Sequence, residues 1–304
     1  MPQTYLLSRL KMSRILLQIA APLTVITAIT GLIYTLYNYQ RWEFLHVSPA
    51  PFQIVGTALA IYLSFVNNAA YARYMEARTL WGGIINGSRT FVRQLLTLTF
   101  ADNAEELRGF YKELVYRHLA WCIALRCWLR DQDPFAEIQP YLSASELSEL
   151  KNEKSVTTAL LHKQESRLHD ARLKGWLTDF TLVAMDGTLT ELTNNQGGCE
   201  RIKNTPIPPT YTYLTHRFVY GFCALLPLGL VDQLNAMMFF VVLPVSIVFL
   251  ILDRIGRLIE RPFGIEPQDL ALSSYTRTIE INLRQRLGET NLPEPIVAIE
   301  GVLA

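Results

Sequence analysis

Charge is scarce in this sequence: Asp, Glu, Lys and Arg make up 18% of its 304 residues, against 50% hydrophobic residues. The mean hydropathy is +0.17. That is too apolar for an ordinary soluble protein and too charged for a chain lying wholly in a bilayer, so the apolar residues must be gathered in blocks. A surplus of one sign is missing as well. The 28 Lys and Arg against 27 Asp and Glu leave a net charge of +1, which gives no reason to expect nucleic acid as a partner. Cysteine is sparse. Cys122, Cys127, Cys199 and Cys223 have neither the paired spacing of a zinc site nor the density of a disulfide framework, and they are expected to be reduced thiols. No nucleotide loop, metal-ligand quartet, nucleophile elbow or catalytic carboxylate pair stands at diagnostic spacing. The chain is therefore expected to be no enzyme, with no catalytic residue, no metal and no cofactor. His162 and His169 share a helix face but lie too far apart to bind one metal unaided, and Lys163 and Arg167 argue against a cation there. They are read as solvated.

What is present is four apolar blocks. Ile15 to Tyr37, interrupted by Gln18, Pro22 and scattered Thr, is long enough for a helix to span a bilayer core of roughly 30 Å. It is too long for the apolar region of a cleaved leader, and no small-residue cleavage site follows before Asn38 and Tyr39, so a span is expected. Ala50 to Val66 forms the second block, with Pro51 suited to a first helical turn, and the helix can run on into the polar segment beyond. Tyr211 to Val231 is the third, with His216 and Arg217 near its start, where a long basic side chain can snorkel to the interface. Only Asp232 and Gln233 separate it from the fourth, Leu234 to Leu252, so a tight antiparallel hairpin is expected. Pro227 and Pro244 are placed mid-span, which favours a packed bundle over isolated anchors. Trp42 and Tyr39 fit an aromatic belt at the outer interface, Tyr211 and Tyr213 the inner one.

The expected organisation is a cytoplasmic segment over 1–14, two spans over 15–66, a helical cytosolic domain over 67–209, two spans over 210–252 and a cytosolic segment over 253–304. In the middle region, Glu105 to Arg130 has the apolar spacing of an amphipathic helix, Ser145 with Glu149 brackets another helix start, and Asp131 to Tyr141 reads as a loop. Arg9, Lys11 and Arg14 precede the first span, Arg254, Arg257 and Arg261 follow the fourth, and the outward connections hold only Arg41. Both termini are therefore expected in the cytoplasm of a multi-pass inner-membrane protein.

Two stripes at i, i+4 spacing run along the second helix. Gly56, Ala60, Ser64 and Asn68 suit close approach of helix backbones, the main route to association in lipid. Thr57, Ile61 and Phe65 form the other stripe, which can face lipid or the centre of an oligomer. The polar cluster that follows in register, Asn67, Asn68, Tyr71, Arg73 and Glu76, favours the second.

Three segments carry a resemblance. Phe65 to Gly82 (FVNNAAYARYMEARTLWG), Gly198 to Arg217 (GCERIKNTPIPPTYTYLTHR) and Arg261 to Gly264 (RPFG) with Asp269 and Leu270 resemble the bacterial branch of the bestrophin family, in order and in register from about Arg14 to Gln285. The resemblance implies an all-α integral membrane protein: a homopentamer around one axial pore, with four transmembrane helices and a helical cytosolic domain per subunit. Its partners would be the lipid bilayer and small inorganic ions, with chloride and other anions as the default and monovalent cations as the alternative. It places the pore neck on Thr57, Ile61 and Phe65, whose apolar rings can gate by dewetting. A second cytosolic constriction falls on Phe180, next to Asp179, though a core aromatic fits Phe180 as well. Asp179 and Asp186 share a face that can line the path or simply meet solvent.

The sequence also departs from the family. Thr57 stands where an apolar residue is usual, and Val66 where many relatives carry a basic one, which weakens the anion default. The calcium-binding acidic cluster of animal members is reduced to Glu266 and Asp269, while calcium takes six to eight oxygen ligands. Two other classes stay open. A secondary transporter would show inverted repeats and charged residues at the bilayer midplane, which are not found, and a membrane-anchored interaction domain would purify as a monomer.

Overall fold

The computed structural model describes residues 12–298, with side chains from residue 17 onwards apart from 209. Arg9 and Lys11 lie outside the described residues, as does the side chain of Arg14. All regular structure among the described residues is helical. The chain divides into two compact units, one taking in the chain up to Tyr74 together with Pro206–Arg261, the other Met75–Thr205 together with the chain from Pro262 onwards. The divisions therefore fall at 74/75, 205/206 and 261/262, whereas hydropathy placed them at 66/67, 209/210 and 252/253.

The first unit opens with α1 (Met12–Asn38). Ile19, Ile26, Thr30 and Ile33 form its buried stripe, while Leu17, Val25 and Leu32 stay exposed, the two-faced pattern of a helix with one side on a bundle. Thr24, Thr27 and Thr30 each donate to the carbonyl four residues back at 2.8 Å, which hides the hydroxyls that an apolar setting would leave unpaired. Next comes α2 (Ala50–Leu98), one helix of 49 residues that contributes its first half to this unit and its second half to the other. Leu59, Leu63, Val66 and Ala70 are its buried seam here. Their spacing of four, three and four residues brings the seam back to within about 20° after three helical turns.

The return to the first unit comes much later in the chain, at Pro206. α8 is Pro209–Leu225, α9 the single turn Val231–Leu234 and α10 Phe239–Ile259. The expected two-residue hairpin is not formed. Pro227 lies in a 3-10 turn, Leu226–Gly229, and a second 3-10 turn, Asn235–Met238, precedes α10. Pro227 has no N–H to continue α8, and Asn235, with φ 48°, ends α9 in a region that L residues seldom enter. At Gly229 an added Cβ would stand 2.5 Å from the Phe52 ring, so the turn meets α2 through a position only glycine fills. Pro244 does sit within α10. Because α10 runs on to Ile259, Arg254 and Arg257 lie inside the helix rather than after it.

By length and composition, three helical stretches among the described residues could cross a membrane: Leu17–Asn38, the stretch containing α2, and Val231–Ile259. α8 has 17 residues. The bundle core gathers Ile19, Ile26, Leu63, Val219, Phe222 and Val242 from α1, α2, α8 and α10.

In the second unit α3 (Ala104–Leu129) is buried along most of its length from Leu114 to Leu129. It packs on α6 (Val156–Leu173), α7 (Asp179–Asn204) and α11 (Leu272–Arg286). The loop expected at Asp131 to Tyr141 holds α4 (Phe135–Ile138) and a 3-10 turn, Gln139–Tyr141. α5 (Ala144–Leu150) is capped by Ser143, which accepts from Glu146 N–H, so the cap is two residues earlier than Ser145, where the stabilising acceptor actually reaches an orphan donor. Asn103 caps α3, Ser155 caps α6, and Thr178 forms a reciprocal box with Thr181 at α7.

Candidate functional site

On α2 within the first unit, Thr57, Ile61 and Phe65 all lie away from the buried seam, with Ile61 54% and Phe65 66% exposed. Among the described residues, nothing buries them. Thr57 Oγ1 donates to Gln53 O at 2.8 Å, so the hydroxyl has spent its proton on its own helix and turns acceptor lone pairs and a methyl outward.

The small-residue stripe is not one packing face within the chain. Gly56 meets Phe222 of α8, where an added Cβ would stand 3.0 Å from the ring, whereas Ala60, Ser64 and Asn68 are exposed. An i, i+4 row drifts about 40° per step and so wraps about 120° between Gly56 and Asn68. That rotation separates the glycine from the rest. Ser64 Oγ is satisfied by Ala60 O at 2.9 Å. Where the stripes end, Asn67 Nδ2 donates to Leu252 O at 3.1 Å and, further on, Arg73 Nε to Glu260 O at 3.0 Å, so the polar continuation of the helix is tied to the C-terminal end of α10.

The sequence reading missed a buried charge in this unit. Asp253 on α10 is 4% exposed. Its Oδ2 accepts from Arg257 Nη2 at 2.5 Å and lies 3.0 Å from His216 Nδ1 on α8. His216 is thus turned to an acid rather than only to the interface, while Arg217 lies over the Tyr213 ring at 5.0 Å. The one available signal was the i, i+4 spacing of Asp253 and Arg257.

In the second unit Asp179 is the first residue of α7, and Phe180 beside it is 89% exposed. Phe180 is therefore not a core aromatic of the chain. Val183, one turn on, is exposed as well. Arg172 Nε donates to Asp179 Oδ1 at 2.5 Å, and this guanidinium holds the Asp179 carboxyl below the usual carboxylate range. The negative charge expected from Asp179 is thus largely countered by a neighbour. Asp186 is exposed. His162 and His169 are exposed too, as read.

Deeper in this unit, His118 Nε2 lies 2.8 Å from Ser88 Oγ, between the rings of Phe91 and Trp121. Burial pushes its pKa down to about 3. The four cysteines are free and buried, and burial pushes the Cys122 and Cys199 thiols up to about 12, which keeps them from acting as thiolates. At the RPFG turn, Asp269 Oδ2 accepts from Glu266 N–H at 2.9 Å. The carboxylate is engaged by its own loop, and two acids fall well short of a calcium shell.

Comparison with known proteins accords with this architecture. A family profile described as bacterial/fungal bestrophin protein matches residues 2–285. The voltage-dependent anion channel-forming protein YneE of Escherichia coli (strain K12) is 37% identical over 248 residues, covering 82% of this chain and 80% of that one. The voltage-dependent anion channel-forming protein RSc3414 of Ralstonia nicotianae is 37% identical over 256 residues, covering 83% and 82%. A solved structure of a bacterial bestrophin homologue from Klebsiella pneumoniae superposes with a TM-score of 0.85 at 34% identity, over 90% of this chain and 100% of the other. With a profile spanning nearly its whole length and relatives of this identity, the chain belongs to the bacterial and fungal bestrophin family.

Proposed function

We propose that this protein is a pore-forming channel that passively conducts small anions across a bacterial inner membrane, assembled as a homopentamer with four spans per subunit and both termini in the cytoplasm. The observation that carries the reading is the outward row on α2: Ile61 and Phe65 are uncovered on a helix whose opposite seam is buried. In a ring of five subunits such a row supplies successive apolar collars, narrow enough that an ion must shed part of its hydration to pass and water can withdraw without a charged plug. Thr57 forms the outermost, wetter collar, and Ala60, Ser64 and Asn68 border the neighbouring subunit. Phe180 forms a further collar in the cytosolic part. Relatives named as anion channel-forming proteins support the choice of cargo.

A second reading, a channel for monovalent cations, is favoured by one feature. Between Thr57 and Asn68 α2 carries no basic residue, and the Thr57 hydroxyl presents acceptors outward, which suit a cation. Reversal potentials across a planar bilayer in asymmetric KCl and NaCl separate the two. A potential following chloride supports the anion channel; one following potassium or sodium replaces it with the cation channel; no conductance at all from assembled protein removes both.

A further inference from the structure

Between α2, α8 and α10 of the first unit lies a small cavity of about 10 Å³, about the volume of one water-sized sphere. Its polar lining comes from Asn67, Thr212, Thr215, Asp253, Arg257 and Glu260. Asn67 is held by its amide nitrogen, which donates to Leu252 O at 3.1 Å. The other end of the same side chain, Oδ1, is buried without a hydrogen-bond partner. Gly256 is what allows this placement, since a Cβ there would stand 2.3 Å from Asn67 Oδ1. Thr215 Oγ1 cannot satisfy the carbonyl, having given its proton to Tyr211 O at 2.7 Å.

The wall of the cavity is mostly apolar, yet a buried acceptor at its edge calls for a donor of matching size. We infer that one ordered water molecule occupies this cavity, donating to Asn67 Oδ1 and to the Asp253 carboxylate. A bare monovalent cation fits poorly. Arg257 Nη2, 2.5 Å from Asp253 Oδ2, already balances that charge, and although Glu260 also lines the cavity, the apolar wall of Leu63 and Val66 offers no oxygen to replace a cation's lost hydration. The water bridge links Asn67, two residues past Phe65, to the cluster of Asp253, Arg257 and His216. It adds a wet contact to the direct bonds that hold α2 to α10.

The test is a map of the full-length assembled protein fine enough to show ordered solvent, from crystals grown in RbCl with anomalous data collected. The expected result is one peak within hydrogen-bond distance of Asn67 Oδ1 without anomalous signal. An empty cavity overturns the inference, and an anomalous peak overturns it by putting a cation there. In Asn67→Leu, which keeps the bulk and removes the acceptor, the peak should vanish; its persistence would overturn the role given to the carbonyl. Should that variant fail to assemble, the native map decides alone.

Discussion

Ile61 and Phe65 present apolar bulk that the described residues leave exposed, so their effect depends on what faces them in the assembly. If that is an ion path, trimming either residue widens a dry collar and lets water persist, which lowers the cost of dehydrating an ion. Ile61→Ala and Phe65→Ala are expected to raise ion flux per assembled protein in reconstituted vesicles, and Thr57→Ala to change it less. Unchanged flux in both apolar variants would place the row against lipid. His118 gives a residue-scale prediction of a different kind. Burial holds its folded pKa at about 3, below the value near 6.5 of an unfolded chain. Between those limits the unfolded chain binds the proton and the folded one does not, so stability is full above pH 6.5 and is lost as pH falls towards 3. The contribution has a slope of up to about 1.4 kcal/mol per pH unit. Thermal melting of the native protein should drop more steeply between pH 6 and pH 4 than that of His118→Gln; parallel curves would refute this.

At the scale of elements, the turn between α8 and α10 shows how far local signals reach. Pro227, Gly229 and Asn235 together break what hydropathy reads as two nearly continuous spans, and the close approach of Gly229 to Phe52 is visible only once α2 is in place. Gly229→Ala is expected to destabilise the bundle by about 1–3 kcal/mol through overpacking. Gly221→Ala, in α8 with nothing within 4 Å of the added Cβ, is expected to be neutral or slightly stabilising, because alanine favours a helix interior by about 1 kcal/mol. Equal melting temperatures for the two variants would contradict this reading of the turn. That α2 could run on past Val66 was open to view in the sequence, but not that it passes Gly82, Gly83 and Gly87 to reach Leu98. Its two stripes were visible too. That Gly56 belongs with Phe222 while Asn68 does not follows from the drift of an i, i+4 row, and that drift becomes decisive only when neighbouring helices choose an orientation.

For the whole molecule, the prediction concerns assembly and orientation. Ala60, Ser64 and Asn68 remain uncovered on a helix otherwise suited to close contact, and a homopentamer is expected in mild detergent. Native mass measurement giving a monomer or dimer would remove the basis for an axial pore. A reporter fused after Ala304, which lies outside the described residues, should be cytoplasmic; a periplasmic signal would overturn the arrangement of four spans.

Apolar blocks, helical spacing and three motifs in register were enough by themselves to make this an all-helical membrane protein of the bestrophin family, because burial in lipid and in a bundle selects composition over runs of neighbouring residues. Tertiary structure alone decided which polar groups meet. His216 and Asp253 are 37 positions apart, Ser88 and His118 are 30 apart, and neither pairing leaves a periodic trace. The packing angle of whole helices sets such contacts, and that angle depends on every side chain at the interface at once.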